Sequence, residues 1–451
     1  MINLLKSPQN KGKKIVALID GEHYPQINLD AVLLLKKHFK GIFAGIIFLG
    51  GTEKLTIDNL QNFYGCIVKK IENLDNDFIP ALNFFKPDIV YDLSDEPVVN
   101  YCIRMKIASF CFTNHCSYMG PDFYFEYETK KPTVLKPSLL IIGTGKRIGK
   151  TAVSLYISKL ISEKKKICIV SMGRGGPKKP QLMQASKINI TPEFLLNISR
   201  KGFHASSDYI EDALFAGVDT IGCRRCGGGF GGKFFLTNIE KGLKIAESLK
   251  PQVLVIEGSG ASIPAVETDF KVCVVGANQD WNNLVGYLGI YRMIISDIIF
   301  MTLCEEPIST KENIKLIEQK IFEIKKDAKI VKSVFRPVPL YDIKDKKVFL
   351  TLTASSLAEK TLKDYLESKY NCKVVKISFN LSNRKRLRED LYSINPDEYD
   401  MLITELKAAS VDVVTEYAVK HKKQINYINN IPVIIDGKQH LDSFINKILN
   451  F

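Results

Sequence analysis

Short apolar runs bounded by glycine, proline and polar turns alternate along this chain with stretches whose apolar positions recur at helical spacing. Early on, Ile15–Ile19, Ile42–Phe48 and Ile89–Tyr91 predict buried strands, with helical patterns near Leu29–His38 and around Leu74–Phe85. In the middle, Pro137–Ile142, Lys166–Ser171, Pro251–Glu257, Lys271–Val275 and Asp297–Cys304 predict further strands, and Ala152–Ile161 continues the first of them as a helix. Towards the end, Lys347–Thr353, Lys373–Ile377 and Met401–Thr404 alternate with helices over Leu357–Lys369, Arg384–Leu391 and Ala408–His421. Strand and helix in alternation build parallel sheets covered by helices, so the expected fold class is α/β. The polar segment Glu128–Pro137 reads as a linker. Three units follow: an N-terminal Rossmann-like α/β domain at 1–130, a central core at 138–340, and a small C-terminal α/β unit at 341–451.

Chemistry enters where strands end. Strand Pro137–Ile142 runs into Gly143-Thr144-Gly145-Lys146-Arg147-Ile148-Gly149-Lys150-Thr151 and then into a helix beginning near Ala152. Glycines there let backbone N–H groups turn towards phosphate oxygens, Lys150 can reach the outer phosphates, and Thr151 can hold Mg²⁺. The central core is therefore read as a P-loop nucleotide-binding domain. Its loop is one residue longer than the strict P-loop spacing, with Thr144 in the place of the first glycine. The next strand empties into Met172-Gly-Arg174-Gly-Gly-Pro177, where Arg174 can fork onto a phosphate and a tight turn is the competing use. Cys223-Arg224-Arg225-Cys226-Gly-Gly-Gly-Phe-Gly-Gly-Lys233 offers three further cations in a backbone able to approach a ligand closely. Strand Pro251–Glu257 ends in an acid, the position from which a P-loop fold turns a carboxylate towards Mg²⁺, so Glu257 joins Thr151 as a metal candidate. Asp20-Gly-Glu-His23 closes the first strand. His23 either meets substrate there or belongs to an Asp-Gly turn that caps the next helix. Glu405 is read as a helix cap, and Lys407 as a cation pointing to the cleft.

Composition changes the picture little. The chain has 451 residues, with 63 Lys and Arg against 49 Asp and Glu, a formal charge of +14. Scattered through helices, this excess reads as a solvated surface, and only the basic residues in glycine loops are informative. No apolar run reaches membrane-spanning length and the first residues lack a signal peptide's apolar region, so the expected compartment is the cytoplasm. The ten cysteines read as reduced, and Cys223-x-x-Cys226 lacks the second pair that would complete a zinc site. The lack of Asn-Lys-x-Asp favours ATP over GTP. Aromatic Tyr118–Tyr127 reads as packing within the first unit, with an inter-domain contact as the competing use. A homodimer would cover the apolar and aromatic material of that unit.

The long-spaced loop resembles the phosphate cradle of dethiobiotin synthetase and its relatives in the SIMIBI class of P-loop enzymes. Combined with Met172–Pro177, Cys223–Gly229, Val255-Ile-Glu-Gly-Ser-Gly-Ala261, Thr404-Glu-Leu-Lys-Ala-Ala409 and Leu18–Pro25, it resembles the cyclic 2,3-diphosphoglycerate synthetases of methanogenic archaea over nearly the full chain. The resemblance implies a cytoplasmic enzyme using ATP and Mg²⁺, with a small phosphorylated substrate, 2,3-bisphosphoglycerate, and neither nucleic acid nor membrane as partner. Catalysis would fall to Lys150, Lys146, Arg147 and Glu257. The nucleotide would lie on Gly143, Thr144, Gly145, Gly149, Lys150, Thr151 and Ala152, and the substrate on Arg174, Arg224, Arg225, Lys233, His23 and Lys407. Two alternatives share the loop: a carboxylate ligase of the dethiobiotin type, and a partitioning ATPase that binds DNA through its basic surface.

Overall fold

A computed structural model describes the chain except residues 1–4, 52, 129–130, 133, 188 and 287. The predicted linker and the first residues of the N-terminal unit thus lie partly outside the described residues.

The first unit is a six-stranded sheet with spatial order Val68–Lys70, Ile42–Phe48, Lys14–Ile19, Ile89–Asp92, Ser117–Met119, Tyr124–Phe125, parallel except for its last pair. The order reverses between Lys14–Ile19 and Ile89–Asp92, and Asp20 knits the loops together at that switch point. It accepts the backbone N–H groups of Glu22, His23 and Asp95. Tyr118, Phe123 and Phe125 pack on one another inside this unit, as the aromatic run predicts. Helix Tyr101–Thr113, buried along Ile107–Phe112, docks the unit on the core: Phe112 meets Tyr291 edge-on at 5.6 Å and Cys102 donates to Asn282.

The central and C-terminal units share one sheet of thirteen strands. In the core, Asp219–Gly228, Ile167–Gly173, Val253–Glu257, Ser138–Gly143, Phe270–Gly276 and Ile298–Thr302 run parallel, buried on both faces as unbroken apolar runs require. Ile330–Pro339 continues past the carboxyl edge of that array and pairs antiparallel with Gln424–Asp436, Lys332 facing Asp436 and Pro339 facing Ile428. Only the first half of Gln424–Asp436 joins Met401–Glu405, Lys347–Thr351 and Lys373–Ser378, which run parallel to it. The C-terminal strands therefore run against the core strands, and the carboxyl edges of the two arrays face each other across a cleft. Open α/β sheets hold ligands at that edge, and here two such edges oppose one another.

Candidate active site

The loop after Ser138–Gly143 is held from several sides. The Thr144 N–H and hydroxyl bond to the Val274 carbonyl and the Gln279 amide oxygen, and the Thr302 hydroxyl donates to the Ile148 carbonyl at 2.7 Å. Gly149 stands at φ +79° as the residue before helix Lys150–Ser162, with no side chain capping the helix start. The first-turn N–H groups and the helix dipole are open to an anion. Lys150 and Thr151 are buried, and the Lys150 ammonium lies 3.6 Å from Glu257.

Three cations converge beside this loop. The Arg225 guanidinium donates to the Ser259 carbonyl at 2.8 Å and lies over the Phe234 ring. Burial and then the fields of Arg174, Arg147 and Arg225 hold the Lys146 ammonium below its ordinary pKa, and burial with Arg174 does the same to Arg225. Like charges held this close mark a place where an anion relieves the repulsion. Arg224 is not among them. Successive residues on a strand point to opposite faces, so Arg224 and Arg225 cannot share one clamp.

Behind Lys150 lies a group of acids from helix Asp208–Ala216, where Asp208, Glu211 and Asp212 share one face. Both oxygens of Glu257 and both of Asp212 are buried without a hydrogen-bond partner. Burial raises the pKa of both carboxyls; the charges of Glu257 and Asp208 raise Asp212 further, while Glu257 is pulled back by Lys150 and raised by Asp208. Beside Thr151, this all-oxygen set suits Mg²⁺ by donor chemistry. Glu211 is pushed up to about 8 by burial, although Lys407 stands 3.3 Å away and pulls it down.

That Lys407 comes from the C-terminal unit, whose polar contacts with the core near the cradle include Lys407 on Glu211, Ser382 accepting from Arg147 at 2.9 Å, and Ser410 beside Ser206. Between the two edges lies a cavity of about 440 Å³, lined by Gly149, Ala152, Asn278, Phe335, Tyr365 and Lys407 among others. Glu305 and Arg336 form a two-pronged ion pair at its wall, 2.7 and 2.8 Å.

Set against expectation, Lys146, Arg147, Arg174 and Arg225 meet in one another's fields beside the buried Lys150, Thr151 and Glu257, and Lys407 joins Arg147 at the wall of the larger cavity. Lys233 does not: it is paired with Glu126 of the N-terminal unit, and its charged neighbours are Glu126 and Glu128. His23 belongs to the Asp20 turn, 3.1 Å from that carboxylate, but the acid holds loop N–H groups and caps no helix, since Pro25–His38 starts without a side-chain cap. The glycine run after Cys226 serves packing, since a side chain on Gly231 would meet the Phe112 ring at 2.0 Å. Cys223 is buried and Cys226 exposed, so the pair does not present two thiols to one metal, and among the described residues no three or more of His, Cys, Asp and Glu are gathered as a metal-holding group. Glu405 caps no helix. It is a buried strand end accepting from Thr353 and Asn430. The acids of helix Asp208–Ala216 were missed, and their i, i+3, i+4 spacing in an otherwise apolar helix was the available signal. No helix among the described residues is long and apolar enough to cross a membrane.

The three units match three family profiles, described as the N-terminal domain (residues 14–126), the P-loop domain (138–334) and the C-terminal domain (339–431) of cyclic 2,3-diphosphoglycerate synthetase. A protein of that name from Methanothermus fervidus is 43% identical over 433 residues, covering 94% of both chains. One from Methanothermobacter thermautotrophicus is 41% identical, covering 94% of this chain and 93% of the relative. One from Rubrobacter xylanophilus is 41% identical, covering 93% and 95%. These relatives support the synthetase expectation and neither the carboxylate-ligase nor the partitioning alternative.

Proposed function

The chain belongs to the cyclic 2,3-diphosphoglycerate synthetase family, and from that membership we propose how its residues use ATP to close 2,3-bisphosphoglycerate into a cyclic phosphoanhydride. Two displacements at phosphorus are needed. An oxygen of one substrate phosphate attacks the γ-phosphorus of ATP, the γ–β bridge bond breaks, and ADP leaves. The second substrate phosphate then attacks the phosphorus of the first, the bond to the added phosphoryl breaks, and inorganic phosphate leaves as the ring closes. The nucleophiles are already anions, so positioning and positive charge matter more than a base.

In this reading the cradle from Gly143 to Thr151, with Ala152 behind it, holds the ATP phosphates, and Lys150 neutralises charge on the group in transit. The 440 Å³ cavity receives the rest of the nucleotide against Phe335 and Asn278. Lys146, Arg174 and Arg225 hold substrate phosphates close despite their repulsion, and Arg147 and Lys407 tie the C-terminal edge over the site, limiting water that would hydrolyse the activated phosphate. Mg²⁺, when bound, would supply charge neutralisation between outer phosphates, with Thr151 and Glu257 as its holders and Asp212 behind them.

The observation that carries the proposal is the meeting of Lys146, Arg174 and Arg225 in front of the Lys150–Glu257 cradle in a chain of this family. Incubated with Mg-ATP and 2,3-bisphosphoglycerate, the protein should yield a cyclic phosphoanhydride, ADP and phosphate in equal amounts by phosphorus NMR; ADP without the cyclic product refutes it. Lys150→Ala should lower turnover by about 10²–10³-fold with an unchanged circular dichroism spectrum.

A further inference from the structure

One polar pocket beside the cation cluster has been given no occupant above, although Arg174 at its wall has been given a role. It holds about 170 Å³ beside the turn Gly173–Gly176, and its walls include Arg174, His204, Ser206, Ser207, Asp208 and Ser259. We infer that this pocket is the seat of the substrate phosphate that ATP does not activate, clamped there by His204 together with Arg174, both of which line it. The inference rests on the function proposed above and names the residues that decide which of the two phosphates waits while the other is activated.

Size and chemistry agree. The space suits one phosphate group and its carbon, whereas a nucleotide needs the larger cavity on the other side of the cradle. Its polar surface is a guanidinium, an imidazole and hydroxyls set around several sides, which suits a tetrahedral dianion better than a flat carboxylate, for which a single guanidinium fork would be enough. Helix Asp208–Ala216 starts at its wall. Ser207, the residue before that helix, leaves it uncapped and donates its hydroxyl to the His204 carbonyl at 2.5 Å. The helix N-terminus adds its dipole to the guanidinium and imidazole already there.

The pocket is also built. A side chain on Gly175 would meet the His204 ring at 2.6 Å, and one on Gly176 would meet the Cys223 carbonyl oxygen at 2.0 Å. Neither glycine has a positive φ, so closeness of approach, and not backbone conformation, requires them. This accounts for the Gly-Arg-Gly-Gly turn: it lets the backbone lie against the histidine ring. Position completes the argument. Ser259, which lines the pocket, gives its carbonyl to Arg225, and the space beside the next residue, Gly260, lies within 3.8 Å of both Arg225 and Lys146. A phosphate seated here adjoins Arg225 and Lys146, the cations that hold the other substrate phosphate, where the attacking group must wait. Asp208 is the one carboxylate in the wall, and it lies in the field of Lys407.

Steady-state kinetics of His204→Ala and His204→Asn test this, with cyclic product followed by phosphorus NMR. His204→Ala should raise KM for 2,3-bisphosphoglycerate by about 10–100-fold, the loss expected for a hydrogen bond to a charged group, with KM for ATP unchanged. His204→Asn, which keeps a donor, should recover part of it, and Gly175→Ala should act in the same direction by displacing the ring. An unchanged KM for 2,3-bisphosphoglycerate, or equal rises in both KM values, overturns the assignment. Independently of turnover, inorganic phosphate should compete with 2,3-bisphosphoglycerate for the ADP-bound wild type in calorimetry, while glycerate should not, and His204→Ala should lose the phosphate competition. Should the wild type form no cyclic product, the proposed function fails by itself, and the phosphate titration still judges the pocket.

Discussion

Gly149 shows how one residue ties the cradle to the rest of the molecule. It combines a left-handed backbone with the ring of Phe335 so near that an added methyl would sit 2.0 Å from it. Phe335 belongs to the long strand that carries the chain out to the C-terminal unit. Gly149→Ala should therefore cost about 1–3 kcal/mol of stability, from backbone strain and displacement of the ring, and weaken ATP binding. Phe335→Leu in the same chain should return part of both losses. Thermal unfolding and nucleotide titration of the single and double variants measure this, and no rescue by Phe335→Leu would place the whole effect in the backbone. The sequence made the need for glycine at this position legible through its spacing to Lys150. Its second reason was not legible, because Phe335 lies 186 residues further on in a strand with no local link to the loop.

Among elements, the meeting of helix Asp208–Ala216 with the segment after strand Met401–Glu405 is the most consequential. Lys407 meets Glu211 there, and both belong to faces otherwise committed to packing. Removing one partner leaves the other buried without its counter-charge, while removing both leaves neutral groups. Measured at pH 9, where Glu211 is ionised, Lys407→Met and Glu211→Gln should each lower the unfolding midpoint, and the double variant should lie above the sum of the two, with a coupling of about 1–3 kcal/mol. Strict additivity would show that the two side chains do not sense each other. Periodicity did give most of the elements here. Ile42–Phe48 and Leu74–Phe85 agree with the observed bounds, while helix Tyr101–Thr113 and the short Leu60–Tyr64 and Val68–Lys70 were missed. Tyr101–Thr113 escaped because it is apolar on nearly every side, buried between two units, and so has little amphipathic signal.

At the scale of the whole molecule, the acids behind Lys150 make stability depend on pH. Burial raises Glu211 from about 4.5 to about 8, and raises Asp212 and Glu257 as well. Between those values the folded chain holds protons that the unfolded chain has released, so stability is fully present at low pH and falls as pH rises towards 8. The unfolding midpoint of the ligand-free protein should fall from pH 5 to 8. Glu211→Gln should flatten this trend by at most about 1.4 kcal/mol per pH unit. Equal slopes in the two proteins would mean that Glu211 is already ionised in the fold. Groups such as Asp269 and Glu267, held low by lysines and serine hydroxyls, have given their share before pH 5 and cancel in the comparison.

The sequence by itself determined the alternation of strand and helix, the phosphate cradle, the acid at the end of Val253–Glu257 and the basic loops beside them, because each is written in a few adjacent residues whose chemistry acts locally. The tertiary structure alone decided that the third unit continues the core sheet through an antiparallel ribbon and turns its carboxyl edge back onto the cradle. It also decided that Lys233 and His23 serve the N-terminal unit, that Arg224 and Arg225 part company, and that Asp208, Glu211 and Asp212 gather behind Lys150. Those outcomes depend on strand register and on which faces meet, and both are set by the burial of apolar surface across hundreds of residues, which no short stretch of sequence encodes.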